Sequence, residues 1–182
     1  MRAVFLAAVA AAGVAAWSVA LAVGPFALAA PHAEGLLVVV VRHAEKASDN
    51  PRDPGLSPLG KQRAEMLARR LSGLPLAAAY ATPFKRTQRT ARAVAEQQGI
   101  AVTLREFVSR NADEDAQALR QMILNQHRGE AVLVVGHSNT VPAIVEALSG
   151  IEAEPMPETE YDRLSVVRID ADGSAQLQVE RY

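Results

Sequence analysis

The stretch LLVVVV, Leu36 to Val41, narrows what this chain can fold into more than any other segment. Six apolar residues with no polar alternation form a strand that is buried on both faces. A strand covered on both sides belongs to a sheet with helices packed above and below it. The run passes directly into Arg42, His43, Ala44, Glu45 and Lys46. A buried strand is more often closed by turn residues, so a charged pair mounted there needs a polar destination.

The chain beyond this strand alternates helix and strand signals. Residues 42–56 carry Asp, Asn, Pro and Gly and read as a loop. SPLGKQRAEMLARRL then opens a helix, with Ser57 as N-cap and Pro58 in the first helical position. Its expected apolar face is Leu59, Ala64, Met66, Leu67 and Leu71. Leu76–Ala81 reads as a strand, Pro83–Gln98 as a helix closed by Gly99, and Ile100–Leu104 as a short strand. Asp113–His127 is a helix with Leu119, Met122 and Ile123 inward, Ala131–Val135 a buried strand, and Val141–Leu148 a helix ending near Gly150. RLSVVRID and AQLQVE alternate in polarity and are joined by Asp172-Gly173, a hairpin signal. The expected fold is an α/β three-layer sandwich. A mostly parallel central sheet is flanked by helices, with a C-terminal antiparallel hairpin.

The N-terminal segment stands apart from this domain. After Arg2 no charged residue occurs before Glu34, and Ala3 to Val23 is almost wholly apolar. One positive charge, an apolar run, Gly24-Pro25 and then ALAA form the pattern of a signal peptide over residues 1–29, cleaved before Ala30. A retained membrane anchor is the competing reading, since about 20 apolar residues can span a bilayer. Either one places the single domain, residues 30–182, outside the cytoplasm, in the periplasm or secreted. The chain has no cysteine, which removes disulfides, thiolate metal sites and a thiol nucleophile. Its formal charge of −1 gives no reason to expect a nucleic-acid partner, and a membrane is expected only if the N-terminal segment is retained.

In sheets of this kind ligands bind beyond the carboxyl ends of the strands. The first strand delivers Arg42-His43 there, and AVLVV delivers Gly136-His137-Ser138. LAAAYA leads into TPFKR, which sets Arg86 in the first turn of the next helix. Two guanidiniums and two imidazoles on one rim describe a site for a dense anion such as a phosphoryl group. A helix N-terminus beside Arg86 adds backbone donors, and a neutral histidine can serve as nucleophile. Nothing in this chemistry calls for a metal or a cofactor.

VVVRHAEK resembles the R-H-G signature of the histidine phosphatase superfamily, which includes phosphoglycerate-mutase-like enzymes. ATPFKRTQRTARAVAEQQGI is similar to that family's S-P-x-x-R motif and its T-A helix, and VLVVGHSNTVPAIVEAL is similar to its G-H motif. LSPLGKQRAEMLARRL matches its first helix. Ala44 stands where glycine is usual and Thr82 where serine is usual. The resemblance implies a metal-independent phosphomonoester hydrolase in which His43 attacks phosphorus and becomes phosphohistidine. Arg42, Arg86 and His137 would hold the phosphoryl oxygens. An acid would protonate the leaving oxygen; Glu106 in VTLRE has the family's position, with Asp113, Glu114 or Asp115 as alternatives. Glu45, Ser138 and Asn139 are expected to line the pocket. The substrate would be a phosphorylated small molecule or a phosphoprotein. A phosphoglycerate-mutase-like phosphotransferase and a non-catalytic phosphate-binding module are the alternative functions.

Blander readings apply elsewhere. His32 and His127 are expected to be structural, and Arg89 and Arg92 to form a solvated helix face. GHSNT approaches the nucleophile elbow of α/β-hydrolases, but position 140 is threonine and no histidine follows Ser138. The four histidines include no H-E-x-x-H spacing.

Overall fold

The computed structural model describes residues 31, 35–106 and 111–182. The segment read as a signal peptide or anchor, and His32, lie outside the described residues. In chain order the elements are β1 (Leu36–Arg42), α1 (Pro58–Leu71), β2 (Ala78–Ala81), α2 (Lys85–Gln98), β3 (Val102–Leu104), α3 (Ala112–Gln126), β4 (Ala131–Gly136), α4 (Val141–Ser149), β5 (Arg163–Ile169) and β6 (Ala175–Arg181).

They form one sheet in the order β3-β2-β4-β1-β5-β6. β3, β2, β4 and β1 pair in parallel, while β5 runs antiparallel to both β1 and β6. The valine run occupies an interior strand, as its lack of alternation predicts. Alternate residues of β1 serve opposite layers. Leu37, Val39 and Val41 pack with residues of α1 and α2, including Leu67, Leu71 and Val94. Leu36, Val38 and Val40 pack with residues of α3 and α4, including Leu119, Ile123, Ile144 and Leu148. The four valines are fully buried, each contributing on the order of 2 kcal/mol of apolar burial. This is the three-layer α/β sandwich with an antiparallel C-terminal pair.

The local signals act through their expected chemistry. Ser57 caps α1, its hydroxyl accepting from the Gly60 N–H at 3.0 Å. Gly99 closes α2 at φ 68°, and Gly173 turns the β5–β6 hairpin at φ 85°, conformations that a side chain disfavours. Asn111, not singled out from sequence, caps α3 by accepting from the Asp113 N–H.

Some expectations need correction; α2, for one, begins at Lys85 and not at Pro83. On α1 the buried face is Gly60, Ala64, Leu67, Ala68 and Leu71, whereas Leu59 and Met66 are exposed. Two apolar residues on the outer side misled the reading of the face. β2 begins at Ala78, not Leu76; Leu76 is buried, but its N–H donates to the Gln98 side chain instead of a strand partner. β3 likewise covers only Val102–Leu104.

His127 caps the end of α3. Its Nδ1 lies 2.7 Å from the Glu130 carboxylate and its Nε2 2.6 Å from the Tyr80 hydroxyl, a structural tie between helix and sheet.

Candidate active site

Strand register brings the chemistry together. Arg42 pairs with Gly136 across β1 and β4, and the His43 N–H donates to the Gly136 carbonyl at 3.0 Å. Ala81 of β2 pairs with Val135 of β4, so Thr82, His43 and His137 leave the sheet at one edge. A cavity of about 640 Å³ opens there, lined by Arg42, His43, Arg86, Glu106, His137, Ser138 and Asn139 among others.

His43 is buried, and its Nδ1 lies 2.7 Å from the Ala44 carbonyl oxygen. A carbonyl only accepts, so Nδ1 carries the proton and the neutral ring keeps a lone pair on Nε2. Burial is the main reason its pKa is held down at about 3, opposed by the Ala44 hydrogen bond and reinforced by His137, Arg86 and Arg42. Ala44 itself is fully buried, and its N–H donates to the Thr90 hydroxyl. Among the described residues no non-glycine residue has positive φ, so alanine is accommodated at this position without strain.

The ring of His137 lies edge-on to that of His43, with centroids 5.2 Å apart. His137 Nε2 is 2.8 Å from the Thr82 hydroxyl, which also bonds Thr87 Oγ1. Burial and then the charges of Arg86 and Arg42 hold its pKa at about 4. Both imidazoles are therefore neutral at neutral pH.

The two arginines differ in what they have free. Arg42 is 1% exposed. Its Nη1 donates to the carbonyls of Pro157, Glu158 and Glu160 at 2.9–3.0 Å, and its Nη2 to the Glu158 carboxylate at 2.8 Å. The guanidinium also lies 4.1 Å from the centroid of the Tyr161 ring. Arg86, in the first turn of α2, rests 4.4 Å from the centroid of the Phe84 ring, and desolvation lowers its pKa below the usual guanidinium value. The Nε atoms of both arginines are buried with no hydrogen-bond partner. A buried donor without a partner is costly, and both arginines line the cavity.

Of the acids considered from sequence, Glu106 and Asp115 line the cavity; Asp113 and Glu114 are not among its lining residues. Ser138 and Asn139 line it. Glu45 does not. Its Oε1 accepts from Nε and Nη2 of Arg63 at 2.7 Å, because the first turn of α1 presses directly on the Glu45 backbone. A Cβ on Gly60 would stand 2.3 Å from the Glu45 carbonyl oxygen.

Sequence reading missed Lys46, Phe84 and Glu158 as cavity residues. Glu158 belongs to the segment before β5, where PETEYD offers several acids and no spacing that singles one out. Its Oε1 accepts from the Ser138 hydroxyl. That bond and the Arg42 charge hold its carboxyl below the ordinary glutamate range.

No curated protein sequence matches the chain. Solved structures of similar fold include the protein histidine phosphatase SixA complexed with tungstate, with 20% identity, TM-score 0.65, and coverage of 80% of this chain and 96% of that one. The YhfR protein of Bacillus stearothermophilus has 19% identity and TM-score 0.65, covering 80% of this chain and 96% of its own. A putative phosphohistidine phosphatase SixA from Nakamurella multipartitia has 23% identity and TM-score 0.61, covering 81% and 96%. The family model of the histidine phosphatase superfamily, branch 1, matches residues 38–109 and 110–181. Together with the Arg42-His43 pair, the Arg86 helix and the Gly136-His137 turn on one rim, this match makes the chain a member of the histidine phosphatase superfamily.

Proposed function

We propose that this protein is a phosphomonoester hydrolase working through a covalent phosphohistidine on His43. One observation carries the reading: the Nδ1–H of His43 is committed to the Ala44 carbonyl, which leaves the Nε2 lone pair for phosphorus. The guanidinium groups of Arg42 and Arg86, which line the same cavity, support it as positive charge for the phosphoryl oxygens.

In the first step His43 Nε2 bonds to phosphorus as the ester P–O bond breaks. Glu106 gives its proton to the leaving oxygen. In the second step the Glu106 carboxylate takes a proton from water, whose oxygen attacks phosphorus. The P–N bond breaks, returning the electron pair to Nε2 and releasing inorganic phosphate. His137, neutral and held by Thr82, and the two arginines stabilise the charge that develops on the transferring oxygens. No step uses a metal. Phosphorylated small molecules and phosphoproteins are the proposed substrates. Residues 1–29 are proposed to export the protein, on their sequence pattern alone.

The test is phosphate release from 4-nitrophenyl phosphate in the presence of a chelator. Wild type turns over and forms an acid-labile phosphoenzyme; His43→Ala does neither. Full activity in His43→Ala removes the mechanism. Phosphate bound without turnover identifies a binding module, and transfer to an acceptor in preference to water identifies a mutase.

A further inference from the structure

The charges around the cavity mouth point to a substrate class, an inference that rests on the phosphatase reading above. The guanidiniums of Arg42 and Arg86 match the two negative charges of a bound phosphomonoester. The other charged side chains among the described lining residues are Lys46, Glu106, Asp115 and Glu158. With Glu106 carrying the proton destined for the leaving oxygen, Glu158 is the carboxylate set directly against the phosphoryl arginines. The acids also flank the opening: Glu106 follows β3, while Glu158 sits on Arg42 at the end of β1, three strands along the sheet.

Glu158 is fixed in place. One carboxylate oxygen takes Arg42 Nη2 and the other takes the Ser138 hydroxyl, while the side chain remains 73% exposed. It presents a standing negative charge beside the phosphoryl pocket without needing to reorganise. A like charge placed next to a held carboxylate is repelled, and such repulsive elements set specificity as much as attractive ones do.

We propose that Glu158 makes this site select phosphomonoesters whose leaving group is uncharged or cationic. Esters that carry a second anion beside the phosphoryl group are rejected. Aminoalkyl phosphates are the favoured chemistry, and carboxylate-bearing phosphates such as carboxymethyl phosphate the disfavoured one.

The experiment measures kcat/KM by phosphate release for 2-aminoethyl, ethyl and carboxymethyl phosphate, in wild type, Glu158→Gln and Glu158→Lys. Intrinsic leaving-group reactivity cancels when the aminoethyl-to-carboxymethyl ratio is compared between proteins. That ratio falls about five-fold in Glu158→Gln, further in Glu158→Lys, and shrinks in wild type as salt screens the mouth. A ratio unchanged in both variants overturns the proposal, as does a wild type that prefers carboxymethyl to ethyl phosphate. Turnover of 4-nitrophenyl phosphate, run alongside, separates the two readings. Its absence removes the phosphatase reading and this proposal together, whereas its presence with an unchanged ratio removes this proposal alone.

Discussion

The imidazole of His43 meets that of His137 edge to face, with centroids 5.2 Å apart, and the environment of each opposes a positive charge on it. Their pKa values stand at about 3 and about 4 against the ordinary 6.5, chiefly through burial. The pair is thus two neutral imidazoles side by side.

The pH dependence follows with a definite sign. The kcat/KM profile for an aryl phosphate is expected to show no histidine limb near pH 6.5, since both rings stay neutral well below it; a limb there would contradict the arrangement. Stability moves in the same window. Well above pH 6.5 neither state protonates these rings, so there they contribute no pH dependence. As pH falls below 6.5 the unfolded chain binds protons that the folded one refuses, and stability drops until about pH 4 and about pH 3, where the folded rings protonate too. Urea unfolding from pH 7 to pH 4 should show this loss, and His137→Gln should flatten part of it.

Arg42 serves the fold as well as the site. Replacing it with lysine leaves carbonyls of the 157–160 segment without donors, in a place where the residue is 1% exposed. A loss of about 2–4 kcal/mol is expected on urea unfolding, together with a large fall in kcat/KM. Arg86→Lys, whose partner is the exposed Phe84 ring, should lower activity with much less effect on stability.

Gly60 is required for space. A methyl group there meets the Glu45 carbonyl oxygen at 2.3 Å and the Glu45 nitrogen at 3.0 Å, both backbone atoms that cannot swing aside. Gly60→Ala should cost about 1–3 kcal/mol and lower kcat more than it raises KM, since the displaced peptide adjoins the Ala44 carbonyl that holds His43. Gly73→Ala, with nothing within 4 Å, is the matched control and should be close to neutral in thermal unfolding.

The proton donor is decided by leaving-group dependence. Glu106→Gln should slow alkyl phosphates by about 100-fold or more while sparing 4-nitrophenyl phosphate, whose leaving group needs little protonation. If Asp115→Asn shows that pattern instead, the acid lies on α3.

Much of the fold was legible because local rules and burial agreed. A valine run without polar alternation belongs inside a sheet, Ser57-Pro58 opens a helix, and Asp172-Gly173 turns a hairpin whatever surrounds them. The reading failed where several apolar residues could have faced the core. Leu59 and Met66 are as hydrophobic as Leu67, and only the packing of α1 against β1 and α2 selects among them. In the site, the motif residues could be placed because each ends a strand or begins a helix. Glu45 was misplaced because sequence adjacency to His43 says nothing about which side of the backbone a carboxylate leaves from, and Gly60 draws α1 onto that side.

The sequence by itself determined the elements, their alternation and the residues carried to the strand ends, because propensity and hydrophobic pattern act over a few residues. Only the tertiary structure decided which donors remain free. Arg42 spends one nitrogen on three carbonyls more than a hundred positions away and another on Glu158, while its Nε and that of Arg86 are left unpartnered. Hydrogen-bonding capacity is a sum over every neighbour in space, and no local stretch of chain contains that sum.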